Sequence, residues 1–221
     1  MKKELIVEMN PKSVISEAIK TIKTNIQFTM PDREIKTILI TSSLPGEGKS
    51  FVSSNLAIAY AKVGKKVLIV DTDMRRGRLH KLFKVNGEKG LSNLLIDSES
   101  RYDDYIQKTM IENVSVITRG IIPPNPSELL ASNNNKSLVK YIKDKFDIII
   151  FDGCPVTGLT DSLVMAKLVD RTVIVAAINQ TPIEILKNTQ KTLENIDCKL
   201  AGIIVNKVER RDKYYNYYYQ S

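Results

Sequence analysis

Ser43-Leu44-Pro45-Gly46-Glu47-Gly48-Lys49-Ser50 decides the fold of this 221-residue chain. An apolar run over 35–41 precedes it, and a helix-like run over 51–63 follows. Strand, glycine loop and helix come in the order that a phosphate-binding loop requires. Successive backbone N–H groups can converge on phosphate oxygens, and the helix N-terminus adds partial positive charge. Lys49 can reach terminal phosphates, and the Ser50 hydroxyl can ligate Mg²⁺. The first position departs from the usual pattern, with Ser43 in place of glycine. Residues Pro45, Gly46, Glu47, Gly48, Lys49, Ser50 and Phe51 are the candidate nucleotide-binding stretch.

Outward from the loop, strands and helices alternate. Strands are expected over 66–71, 114–117, 147–152, 171–178 and 200–206, with helices over 127–132, 136–145 and about 181–196. The helix over 51–63 carries a stripe of Val52, Leu56, Ala59, Tyr60 and Val63, and Gly64 is a fitting stop. Thr181-Pro182-Ile183-Glu184 reads as a capping box with proline at the first helical position. The strands are near-continuously apolar. This predicts an α/β fold of the P-loop NTPase type, a mostly parallel sheet flanked by helices on both faces. Residues 1–34 precede the first strand, and a helix over 17–28 places Ala18, Ile19, Ile22 and Ile26 on one face. The expected organisation is an N-terminal helical segment over 1–34, a nucleotide-binding domain over 35–207 and a tail over 208–221.

Parallel sheets bind ligands at the carboxyl ends of their strands. Two strands deliver carboxylates there: Asp71-Thr72-Asp73-Met74-Arg75 ends one, and Asp152 ends the other. Mg²⁺ takes hard oxygen ligands, commonly one or two carboxylates with waters and phosphates. Ser50, Asp73 and Asp152 are the candidate metal ligands. Asp71 can instead take a proton from an acceptor hydroxyl, and Arg75 can neutralise charge on a transferring phosphoryl group. Lys49, Asp71, Asp73, Arg75 and Asp152 are thus the candidate catalytic set. The competing reading of each aspartate is a cap on the helix that follows it.

Composition narrows the function. Net charge is +8, of which residues 62–84 carry +6. A basic stretch attracts phosphates, nucleic acid or anionic membrane. No aromatic residues interleave these cations, which disfavours a nucleic-acid platform. No apolar run approaches the ~20 residues that span a bilayer, and Met1-Lys2-Lys3-Glu4 does not begin a secretion signal. The two cysteines, Cys154 and Cys198, make neither a disulfide framework nor a metal site, so a cytoplasmic location is expected. Leu44 stands where partitioning and septum-placing ATPases carry a second lysine. Five of the nine tyrosines, Tyr214, Tyr215, Tyr217, Tyr218 and Tyr219, crowd the last eight residues.

These features together resemble the bacterial tyrosine kinases of capsule and exopolysaccharide export systems. The resemblance spans nearly the whole chain. It rests on the loop 44–50, on 71–75, on Asp152, on Gly120-Ile121-Ile122-Pro123-Pro124-Asn125-Pro126-Ser127-Glu128-Leu129-Leu130, and on the tyrosine cluster. It implies ATP and Mg²⁺ as cofactors and non-specific protein-tyrosine kinase activity. Tail autophosphorylation would pass between subunits of a homo-oligomeric ring, and other protein tyrosines would serve as substrates. It implies a separate membrane activator whose cytoplasmic segment recruits the kinase to the inner face of the plasma membrane. It also implies that Asn206 lies near the adenine and that Glu17, Lys20 and Lys23 make the subunit contact. The chain has Lys20 and Lys23 where the family has arginines, and Asp152-Gly153-Cys154-Pro155 where it has Asp-Thr-Pro-Pro. Two other readings stand beside it: an ATP-switched regulator of assembly or polymer length in an exporter, and a P-loop ATPase that positions cargo on membrane or DNA.

Overall fold

The computed structural model describes residues 4–97 and 101–209. Helices α1 (Ile6–Met9) and α2 (Val14–Phe28) lead into strand β1 (Thr37–Ser42), which runs through the glycine loop into α3 (Lys49–Ala61). Strand β2 (Val67–Asp71) follows, then the short helices α4 (Leu79–Phe83) and α5 (Leu91–Ile96) and a 3₁₀ turn (Tyr102–Tyr105). Next come β3 (Gln107–Lys108), β4 (Val114–Ile117), α6 (Pro126–Ala131), α7 (Asn133–Lys145) and β5 (Ile148–Pro155). The chain continues through α8 (Asp161–Ala166), β6 (Arg171–Ala177), α9 (Ile183–Glu194) and β7 (Leu200–Asn206).

The strands form one sheet in the order β3-β4-β2-β5-β1-β6-β7, parallel except for β3. Continuous apolar strands make sense for β1, β2, β5 and β6, whose two faces are covered, while Ile203 and Val205 of the edge strand β7 are exposed. Ile38, Ile40, Val67, Ile69, Ile148 and Ile150 join one core cluster; Leu39, Leu68, Val70, Ile149 and Phe151 join the other. The first cluster packs under α2 and α3, and the second packs under α5, α7, α8 and α9. The order of strands reverses at β1, flanked by β5 and β6, so the glycine loop emerges at the switch point where a crevice must open.

Several local expectations change. Helix α3 is buried around nearly its whole circumference, Ser53, Ser54 and Asn55 included, because α1 and α2 cover the side away from the sheet. Its apolar stripe is therefore one part of a wholly enclosed helix, and Val63, beyond its end, is exposed. Helix α2 begins three residues before the expected start, with the Ser13 hydroxyl accepting from Ser16 N–H at 3.1 Å. Ile19 and Ile26 are buried as expected, Ile22 is partly buried, and Ala18 faces outward. Leu5 and Val7 share the core cluster of α2 and α3. Asn55 ties them in: its Oδ1 accepts from Val7 N–H at 3.0 Å, and its Nδ2 donates to the Glu4 carbonyl at 2.7 Å and the Phe51 carbonyl at 2.8 Å. Among the described residues no helix is long and apolar enough to cross a membrane.

Candidate active site

The loop between β1 and α3 is held by its own side chains. Gly48 has φ of +99°, a left-handed conformation that suits glycine, and sits at the N-cap of α3. A Cβ on Gly48 would lie 2.0 Å from Asn206 Nδ2, so β7 closes against the loop at this residue. The Asn206 amide donates to the Glu47 carbonyl at 2.9 Å. Glu47 itself is buried, with Oε2 accepting from Leu44 N–H at 2.7 Å and Oε1 accepting from the Thr181 hydroxyl. The Glu47 carboxylate thus faces inward and fixes the loop. What Glu47 can offer a phosphate is its backbone N–H.

Thr181 accounts for the lost capping box. Its hydroxyl accepts from Ala177 N–H at 2.9 Å and donates to Glu47, so α9 starts after Pro182 with no side-chain cap. A loop contact from across the chain outcompetes the local bond.

Beyond the loop opens a cleft of about 810 Å³, lined by Pro45, Gly46, Gly48, Lys49, Ser50 and Phe51 on one side. Asp73, Arg75, Arg76, Arg78, Asn206 and Lys207 line the rest, with Glu4. The first N–H groups of α3 have no partner within the helix and end at this cleft. Lys49 is only 8% exposed. The loop, the helix N-terminus and the surrounding cations make the cleft a receptor for a polyanion of nucleotide size.

The aspartates occupy two levels. Asp71 and Asp152 are register neighbours on β2 and β5 and are both buried. Asp71 Oδ2 accepts from Leu79 N–H at 3.1 Å, and Asp152 Oδ1 accepts from the Ser53 hydroxyl at 3.0 Å. Their other oxygens, Asp71 Oδ1 and Asp152 Oδ2, are buried without a hydrogen-bond partner. Burial, then the charge of Asp152, pushes the Asp71 carboxyl well above the usual range. Burial pushes Asp152 up to about 6, while the nearby Ser50 hydroxyl and Lys49 ammonium pull it back. Asp73 is the aspartate of the three that lines the cleft. Its Oδ1 accepts from Arg76 N–H at 2.8 Å and Arg75 N–H at 3.3 Å. The Asp152 carbonyl gathers the loop after β2, accepting from Thr72 N–H, Asp73 N–H and the Thr72 hydroxyl.

A divalent cation suits this arrangement. An orphaned buried carboxylate oxygen calls for a positive partner. Among the described residues no three His, Cys, Asp or Glu side chains form a ready cluster. A cation here would complete its shell with the Ser50 hydroxyl, phosphate oxygens and water, as is common for Mg²⁺.

Three participants were not singled out from sequence. Arg75 Nε donates to Asp161 Oδ2 at 3.2 Å, and the Arg75 carbonyl accepts from Arg119 Nη1 at 3.0 Å. Gly77 packs so closely that a Cβ would lie 2.3 Å from Asp71 Oδ1. Asp161 and Gly77 carry no local signal; Arg119 adjoins the 120–130 stretch quoted for the resemblance. The candidate subunit-contact residues lie apart from the cleft on α2. Glu17 pairs with Lys20 at 2.6 Å, and the Lys23 ammonium sits 6.0 Å from the centre of the Tyr60 ring. The tyrosine cluster at 214–219 lies outside the described residues.

Comparison with known proteins matches this architecture. The model of the AAA domain family matches residues 35–205. The chain is 38% identical over 216 residues to the putative tyrosine-protein kinase CapB of Staphylococcus aureus, covering 97% of this chain and 94% of that one. It is 36% identical over 219 residues to the tyrosine-protein kinase YwqD of Bacillus subtilis, covering 99% and 92%. Among solved structures, the kinase domain of the Escherichia coli tyrosine kinase ETK superposes with a TM-score of 0.87 at 31% identity, covering 95% of this chain and 84% of that one.

Proposed function

The chain belongs to the bacterial tyrosine-protein kinases, and from that membership we propose that it transfers the γ-phosphoryl group of Mg-ATP to the tyrosines of its own tail and to other proteins. The observation that carries the reading is one cleft containing Lys49, the α3 N-terminus and Asp73 above the buried pair Asp71 and Asp152. Lys49 and the loop N–H groups bind and orient the phosphates. Ser50, Asp73 and Asp152 would hold Mg²⁺, which when bound neutralises charge on the β- and γ-oxygens. Arg75 stabilises negative charge on the phosphoryl group in flight. Asn206, braced on Glu47, borders the base.

A tyrosine hydroxyl, with a pKa near 10, gives up its proton more readily to a positioned base. Asp71 is one candidate acceptor, and burial and the charge of Asp152 raise its proton affinity. Asp73 competes for the role by exposure. Asn at each position separates them: loss of the acceptor slows transfer while Mg-ADP still binds, whereas loss of a metal ligand weakens the metal dependence of binding.

The tail tyrosines are the proposed acceptors, and transfer between subunits is the proposed route. Phosphorylating five tyrosines adds roughly −7.5 to −10 of charge to residues 207–221, which start at +2, and this favours release of the tail from a carboxylate-lined site. Glu17, Lys20 and Lys23 are proposed as a subunit contact. Lysine lacks the planar fork of arginine, so the ring is proposed to be conditional. Recruitment to the membrane by the cytoplasmic segment of an activator, and control of capsule or exopolysaccharide export, complete the proposal. Among relatives, the name of a Klebsiella pneumoniae kinase that is 33% identical over 209 residues places it in a cps region.

Intact mass after incubation with Mg-ATP tests the reading. Mass should rise in single-phosphate steps, fail to rise in Lys49→Met, and fail to rise on the tail when Tyr214, Tyr215, Tyr217, Tyr218 and Tyr219 become Phe. Hydrolysis of ATP without mass gain on any protein would favour the assembly-switch reading instead.

A further inference from the structure

Asp161 is a buried carboxylate without a local purpose. It is 1% exposed and stands at the first position of α8, yet that six-residue helix has no side-chain cap. Oδ1 is buried without a partner, and Oδ2 accepts from Arg75 Nε. Among the salt bridges of the described residues, every other one joins side chains at least 25% exposed. This one joins a buried carboxylate to a guanidinium that is 42% exposed and lines the cleft.

The chemistry is directional. A buried carboxylate needs its cation, because removing one partner leaves an uncompensated charge. A guanidinium has five N–H donors, one on Nε and four on the two Nη atoms. Binding through Nε anchors the group while leaving the four Nη donors for a ligand. The Arg75 backbone is clamped as well, its N–H by Asp73 Oδ1 at 3.3 Å and its carbonyl by Arg119 at 3.0 Å.

We propose that Asp161 is a positioning residue for phosphoryl transfer: it fixes Arg75 by Nε so that the Nη donors meet the transferring phosphoryl oxygens. The proposal rests on the assignment of Arg75 made above. It acts on the transition state more than on nucleotide binding, since the ground-state phosphates are already held by Lys49 and the loop.

The test uses the full chain with Mg-ATP, following phosphate incorporation by intact mass and Mg-ADP affinity by calorimetry. Arg75→Gln should slow transfer by about 100-fold. Asp161→Asn, nearly isosteric, should slow it by at least about tenfold, with affinity changed by less than about threefold. The double variant should be no slower than Arg75→Gln alone. Transfer at the normal rate in Asp161→Asn, or losses that multiply in the double variant, overturns the proposal. A normal rate in Arg75→Gln overturns the assignment of Arg75 first. A slow Arg75→Gln beside a fast Asp161→Asn overturns only the present inference. Nitrogen-15 NMR of the unmodified protein decides the matter even when Asp161→Asn does not fold. The Arg75 Nε–H signal, assigned by its loss in Arg75→Gln, should be distinct and protected from exchange near neutral pH. A signal averaged with those of exposed arginines overturns the anchor.

Discussion

Replacing Gly77 by alanine should disable catalysis without touching the nucleotide loop. The added Cβ would lie 2.3 Å from Asp71 Oδ1 and 2.6 Å from both Cγ and Oδ2. Ordinary contact begins near ~3.5 Å, so something must move by about 1 Å. The carboxylate is hemmed in: it is buried, bonded to Leu79 N–H at 3.1 Å and beside Asp152 across the sheet. The backbone is equally constrained, because Gly77 N–H donates to the Asp73 carbonyl at 2.7 Å and closes the turn around that residue. Either movement shifts an aspartate of the site. Overpacking of this kind costs about 1–3 kcal/mol. In a chain of this length each kcal/mol lowers Tm by roughly 2–4 °C. A displacement of about 1 Å at the reacting groups can cost about 100-fold in rate. Mg-ADP affinity, set by the glycine loop and Lys49, should hold within about threefold. Melting by circular dichroism, calorimetry with Mg-ADP and intact mass with Mg-ATP supply the three numbers. Normal turnover at an unchanged Tm would refute the account of why this residue has no side chain.

Gly48→Ala should lower nucleotide affinity by at least about tenfold, since its Cβ would meet Asn206 Nδ2 at 2.0 Å and φ is +99°; unchanged affinity in calorimetry would contradict the close approach of β7 to the loop. Thr181→Val leaves the buried Glu47 carboxylate with Leu44 N–H as its hydrogen-bond partner and should cost about 1–3 kcal/mol, read as a lower Tm together with weaker Mg-ADP binding. Asp170 supplies a pH dependence. Burial would raise its carboxyl, but bonds from the Thr37 hydroxyl and N–H, the charge of Lys143 and the Lys36 N–H outweigh this and hold it below the usual value. A depressed folded-state pKa contributes stability above the unfolded value of about 3.9, lost as pH falls through the folded value. Tm should therefore drop more steeply below about pH 4 in the natural chain than in Asp170→Asn; parallel curves would show that Asp170 does not contribute.

The loop 43–50 and the strands that flank it were readable because their signals are local: glycines that permit one turn, and apolar runs that only a doubly covered sheet can bury. The carboxylates of β2 and β5 followed from the strand direction, although β5 runs three residues beyond Asp152, to Pro155. Their two levels did not, because depth depends on which loop folds over which strand, and Gly77 leaves no trace in a hydropathy pattern. Glu47 looked like part of a phosphate cradle in sequence, yet its carboxylate points inward because Thr181, 134 residues away, is waiting for it. Thr181 was misread for the same reason. Helices α1, α4, α5 and α8 span four to six residues each, too short for a 3.6-residue period to register. Asp161 heads one of them, so no helix period pointed to it.

The single amide of Asn55 joins residues 4–7 to the first turn of the nucleotide helix. Residues 4–7 and helix α3 are consequently tied by side-chain hydrogen bonds as well as by a shared core. Trimming this end as though it were a loose extension would strip Asn55 of two of its three partners and open the roof over α3.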